Sequence, residues 1–270
     1  MADNNPRLGI ILMIATTFIF AMQDGISRHL AAEYNVYMIV MIRYWFFSLF
    51  VIGWARIQHG SVRKLASTKQ PVLQIIRALL LIAEICVMVL GFVYLGMIES
   101  YAIFITYPLI IAALSGVILG ENVGWRRWAA ICIGFTGVLV ILQPGFRVFS
   151  LYALLPMGSA VMFALYGLLT RFAARKDSAE TSFFWTGIIG AIVMTAGGIF
   201  YWQPMTSGDW GWMALLSITG ALGHFLLIKC YAVTEASTVQ PFAYMQLVFG
   251  GAIVIAAGLF TLWRERLSAR

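Results

Sequence analysis

Two ionisable residues sit deep inside apolar runs: Glu84 in LLLIAEICVMVL and His224 in ITGALGHFLLIK. A charged group at the centre of a bilayer costs about 2.5–3.5 kcal/mol on insertion scales, so each requires a partner or a water-filled space. Imidazole titrates near neutrality and a buried carboxylate can be raised toward it, so the two could bind an ammonium group and exchange a proton across one cavity. The competing reading gives each a neighbouring hydroxyl or backbone carbonyl at a helix interface. Asp24 and Arg43 occupy similar depths on the first and second apolar runs, where an ion pair would relieve both burial costs; the alternative sets Arg43 against a substrate carboxylate. Arg77 and Lys229 lie nearer one face and are expected to snorkel.

A second set of candidates surrounds two prolines. In FITYPL, Pro108 lacks a backbone donor and disfavours helix at Tyr107; VQPFAYM repeats the feature with Pro241. Both helices are expected to kink near mid-membrane and turn Tyr107, Gln240 and Tyr244 toward a cavity, although prolines in membrane helices also serve packing alone. Tyr101, Tyr166 and Trp185 join them as rings that could line a cavity for an apolar or aromatic substrate. Trp45, Trp54, Trp125, Trp128, Trp202, Trp210, Trp212 and Trp263 fall near span ends, as interfacial anchors do.

The elements that must hold these residues are long apolar helices. The chain is 61% hydrophobic and 11% charged, with a mean hydropathy of +0.89, and about twenty apolar residues cross a bilayer as a helix. Spans are expected at 8–27, 36–55, 72–95, 101–119, 128–142, 151–169, 183–202 and 212–233, with a further apolar stretch from 239 to 263. The net charge of +7 sits in basic blocks beside these runs, which fits membrane sidedness better than nucleic-acid binding. Membrane lipid is the expected surrounding. Cys86, Cys132 and Cys230 are expected as buried, unpaired helix residues, and no metal-ligand spacing occurs. With no GxxxxGK[ST] phosphate loop, HExxH pair or GxSxG elbow, the sequence gives no sign of an enzyme or of a cofactor.

The chain also repeats itself. FAMQDGISR (20–28) answers FALYGLLTR (163–171), and ESYAIFITYPL after Glu99 is echoed by EASTVQPFAYM after Glu235. The reading is an all-α integral membrane protein of ten transmembrane helices, built as two five-helix copies over residues 1–145 and 146–270. An odd number of helices per copy inverts the second in the membrane, the plan of secondary transporters with a site near the midplane. The copies bring Glu84 and His224 toward that site. Their register slips, however: Glu99 with Glu235 gives an offset of 136, and Gly137 with Gly258 an offset of 121. About fifteen residues near Phe249 thus have no counterpart, read as residues omitted between Phe249 and Gly250, with a true deletion as the alternative. Ten spans put Arg264, Arg266 and Arg270 on the same side as Arg7, Arg126 and Arg127, with both termini in the cytoplasm.

The two copies, the FAxxxxxxR element in each first helix, and ILGENVGWRRWAAICIGFTGVLVIL from Ile118 to Leu142 resemble the EamA repeats of the drug/metabolite transporter superfamily. Within it the sequence looks most like YddG-type bacterial exporters of aromatic and other amino acids. The second LGE turn that the family pattern calls for is missing. The resemblance implies a multi-pass, ten-helix basket in the bacterial inner membrane that exports amino acids by alternating access. The expected working form is a monomer, with proton coupling as an option. Another small metabolite or a drug-like cation is the alternative cargo, and a non-transporting scaffold is the alternative of a different class.

Overall fold

The computed structural model describes residues 5–59, 61–143 and 145–253. Their regular structure is all helical, with no strand among the described residues. Helix α1 (Pro6–Glu33) begins with Asn5, whose side chain accepts from the Leu8 N–H, and with proline in its first turn, where a missing N–H costs nothing. It is followed by α2 (Val36–His59), the short α3 (Val62–Ala66) and α4 (Pro71–Tyr94).

The fourth expected span is broken. It forms α5 (Met97–Phe104) and α6 (Tyr107–Leu119), interrupted at Ile105–Thr106 just ahead of Pro108, as a residue without an N–H dictates. Helix α6 stops at Gly120, which adopts a left-handed φ of 70°. Then come α7 (Trp125–Leu142), α8 (Leu154–Ala173), α9 (Ala179–Gly198), α10 (Ser207–Val233) and α11 (Ala236–Ala243). Pro241 lies inside α11, and the interruption falls three residues later, at Tyr244. Residues 245–253 are again helical and run through Phe249–Gly250 without a break. The end of the last apolar stretch, Gly258, Trp263 and the three terminal arginines lie outside the described residues.

Seven helices among the described residues are long and apolar enough to cross a membrane, at 6–33, 36–57, 71–94, 98–119, 151–173, 179–201 and 207–233. Their contacts come in matched sets. Helix α1 packs along α10 as α8 packs along α4, α2 lies on α9, and α1 meets α11 as α8 meets α5. Close approach depends on glycine: a Cβ at Gly190 would stand 2.0 Å from the Tyr44 ring, and one at Gly134 2.4 Å from the Tyr244 ring. Apolar side chains also cover the outside, as a lipid environment requires; Leu49, Ile57, Val117 and Ile133 are all exposed. Cys230 is buried as expected, but Cys132 faces outward and Cys86 is half-buried; all three are free.

Candidate functional site

The central cavity lies among α1, α2, α4, α5, α8, α10 and the helix at 245–253, and measures about 90 Å³. Its polar wall is made by Gln23, Asp24, Arg43, Glu84, His224 and Gln246, and its apolar wall includes Phe20, Phe92, Phe104 and Phe163. Glu84 and His224 therefore share one cavity, and Tyr101 lines it with them.

Each polar group is held differently. Ser159, on α8, donates its hydroxyl to Glu84 Oε1 at 3.0 Å, which is the neighbour-hydroxyl arrangement raised for this carboxylate, yet Glu84 also reaches the cavity. His224 is packed against Phe20, with ring centroids 5.2 Å apart, and edge-on to Tyr166 at 6.5 Å. Its Nδ1 is buried without a hydrogen-bond partner among the described residues. Asp24 accepts from Gln246 Nε2 at 2.8 Å, and Tyr101 lines the same cavity. Arg43 donates to Gln23 Oε1 over 3.4 Å, at the long limit of a hydrogen bond. The expected Asp24–Arg43 ion pair is not among the contacts within 4 Å; the two groups face the same cavity and act on each other only through space.

Other candidates sit elsewhere. Tyr107 is buried against Phe163 at 4.8 Å, and Tyr166 is fully buried beneath the Arg77 guanidinium at 5.2 Å. Trp185 donates its indole N–H to the Ala66 carbonyl at 3.1 Å, next to α3. Gln240 donates to Ala236 O, one turn back on its own helix, at 2.7 Å, and Tyr244 packs on Gly134 of α7. The breaks did not turn Tyr107, Gln240 or Tyr244 into the cavity: Tyr107 packs on Phe163 of α8, Tyr244 on Gly134 of α7, and Gln240 bonds within its own helix.

Arg77 reverses its expectation. It is fully buried, with its guanidinium donating to Thr170 Oγ1 (3.1 Å), Thr186 Oγ1 (3.1 Å) and Gln74 Oε1 (3.4 Å), so it does not snorkel. Lys229 does reach outward, pairing with Glu180 at 3.1 Å. Gln74 also donates to Asp177, in the α8–α9 turn, whose carboxylate accepts from Thr68 Oγ1 (2.5 Å) and the Lys69 N–H (2.9 Å). Burial alone would raise the Asp177 pKa, but these donors outweigh it and hold the group below the ordinary 3.8.

Sequence reasoning missed Gln246 as a cavity group and Ser159 as the partner of Glu84. A lone amide two residues past Tyr244 in an apolar run was the available signal for the first; a serine among small residues offered none for the second.

A polar cavity at the heart of an otherwise apolar, multi-pass bundle is the arrangement of a membrane transport protein. The EamA-like transporter family matches residues 7–143, and the chain belongs to that family of secondary transporters. Similar proteins include an S-adenosylmethionine uptake transporter of Rickettsia prowazekii, 24% identical over 96% of this chain and 94% of that protein. A riboflavin transporter of Vibrio cholerae is 26% identical over 99% and 97%, and one of Rhizobium johnstonii 29% identical over 62% of each. A solved crystal structure shares the fold, with a TM-score of 0.80 at 13% identity over 94% of this chain and 90% of the other.

Proposed function

We propose that this chain moves an organic metabolite with a planar ring and polar appendages across a bacterial inner membrane, by alternating access around the central cavity. The observation that carries the proposal is the meeting of Asp24, Arg43, Glu84 and His224 with four phenylalanine rings in one cavity at the core of the bundle. The matched helix contacts support an inverted duplication over residues 1–145 and 146–270: α1 on α10 answers α8 on α4, and α2 on α9 stands on the exchange axis. At about 90 Å³ the cavity is smaller than the roughly 300–1,000 Å³ usual for small-molecule sites, so it must widen to load cargo.

The relatives favour a metabolite such as S-adenosylmethionine or riboflavin over the amino-acid export read from the sequence, and the S-adenosylmethionine relative favours uptake as the direction. Export of aromatic amino acids stays as the second reading because the same rings and charges would accommodate them. Proteoliposomes loaded with labelled S-adenosylmethionine, riboflavin or tryptophan, assayed for uptake and counterflow with and without a pH gradient, test the proposal. Saturable movement of at least one compound that Glu84→Gln slows is expected. No movement of any of the three above empty liposomes would sink it.

A further inference from the structure

The two deep arginines differ in how well they are satisfied. Guanidinium carries five N–H donors in a rigid fork and stays charged, so inside a membrane it must find acceptors. Arg77 has them, from Thr170, Thr186, Gln74 and the Ser182 carbonyl, with the Tyr166 ring below. Arg43, facing the cavity, has one long hydrogen bond to Gln23 and no carboxylate within 4 Å among the described residues. Its fork lies close over Gly220, where a Cβ would come within 2.9 Å of Nη2, so the missing side chain leaves the guanidinium room on the α10 wall.

The two carboxylates of the cavity are spoken for by neutral donors. Gln246 holds Asp24, and Ser159 holds Glu84, which keeps both from collapsing onto Arg43. The result is a cavity that sets a guanidinium apart from two carboxyl groups, flanked by aromatic rings.

Resting on the transport reading above, we propose that Arg43 is the receptor for a substrate carboxylate, that Asp24 and Glu84 receive its cationic group, and that the substrate class is an amino-acid zwitterion bearing an apolar or aromatic group. S-adenosylmethionine belongs to that class; riboflavin, which has no carboxylate and no ammonium group, does not. The planar fork of Arg43 suits a carboxylate through two parallel bonds, a geometry that lysine cannot reproduce.

The test uses purified full-length protein in detergent and reads binding directly, by calorimetry, for two matched pairs: S-adenosylmethionine with its decarboxylated analogue, and tryptophan with tryptamine. In the wild-type protein the acid of at least one pair is expected to bind about 10- to 100-fold more tightly than the partner lacking the carboxylate. In Arg43→Gln that preference is expected to vanish, with acid and analogue bound equally, and in Arg43→Lys to survive in reduced form. Because the comparison is made within each variant, a general loss of stability does not imitate the result. Preference for the acid that persists in Arg43→Gln overturns the assignment, as does wild-type protein that binds riboflavin but neither acid. Riboflavin transport in liposomes alongside that second result would leave the transporter reading standing. Carboxylate-selective binding without any transport would leave the receptor assignment standing and remove the transporter reading.

Discussion

Residue by residue, the buried polar groups divide into those that hold the protein together and those left facing the cavity. Arg77 belongs to the first set, since its four acceptors come from α4, α8 and α9. Lysine would keep the charge but supply at most three donors without the fork. Arg77→Lys is therefore expected to lower stability by about 1–3 kcal/mol, read as a drop in thermal midpoint in detergent, while leaving the order of ligand preference intact. Arg43→Gln should show the converse, altered preference at nearly unchanged midpoint. Asp177 joins the α3–α4 turn to the α8–α9 turn through Thr68, Lys69 and Gln74. Its pKa is depressed in the folded protein, so the ionised form favours folding. That contribution is complete above the ordinary carboxylate value of 3.8 and disappears as the pH falls through the lower folded value. Stability measured down an acid titration should thus fall more steeply in the wild type than in Asp177→Asn, which starts lower and lacks this component. Equal slopes would show that the carboxylate does not couple to folding.

Among the elements, glycines at helix crossings set how closely the bundle packs. Tyr44 of α2 lies over Gly190 of α9 and stacks with Phe47, whose ring would stand 3.0 Å from a Cβ at Gly187. An alanine at 190 would meet the Tyr44 ring, itself hemmed in by Phe47, so Gly190→Ala is expected to cost about 1–3 kcal/mol. Gly197→Ala, with nothing within 4 Å, should be neutral or gain up to about 1 kcal/mol from helix propensity. Midpoints of the two variants measured side by side give the contrast. The long helices were legible because apolar length alone nearly fixes a membrane span, and Pro108 announced the break at Ile105–Thr106. The second break was placed less well: Pro241 sits within α11, and the helix continues to Ala243, because a proline's lost hydrogen bond can be absorbed within a turn. Facing directions were the least legible. Glu84, His224 and Tyr101 reach the cavity, whereas Tyr107, Tyr244 and Trp185 pack into neighbouring helices, a choice made by the partner helix and invisible in the residue's own flanking sequence.

For the whole molecule, the telling contrast is between the hollow centre and one end tied by charge. Glu121, in the turn after α6, accepts from the N–H groups of Ala236 (3.0 Å) and Ser237 (3.2 Å) and lies 3.5 Å from Arg171. Arg127 pairs with Glu235 at 2.6 Å beside it. The Glu121 carboxylate thereby satisfies first-turn donors of α11 that have no partner within the helix, and meets the positive end of the helix dipole. These bonds join residues 121–127 to residues 171 and 235–237, across the boundary between the two proposed copies. A carrier that opens its two ends in turn must break such a clamp once per cycle, so the clamp's strength sets how often that end is open. Glu121→Gln keeps the shape and removes the charge, a loss of about 1–3 kcal/mol that should shift the population toward the open form about 5- to 150-fold. The shift can be read with Gln246→Cys, which places a thiol at the cavity, after Cys86, Cys132 and Cys230 have been replaced by alanine. In sealed vesicles of each orientation, a membrane-impermeant maleimide applied from the clamped side should label the cysteine faster when Glu121→Gln is added, and from the other side more slowly. Labelling rates that stay equal in both orientations, in protein whose thermal midpoint shows it folded, would mean that these bonds hold α11 in place without gating the cavity.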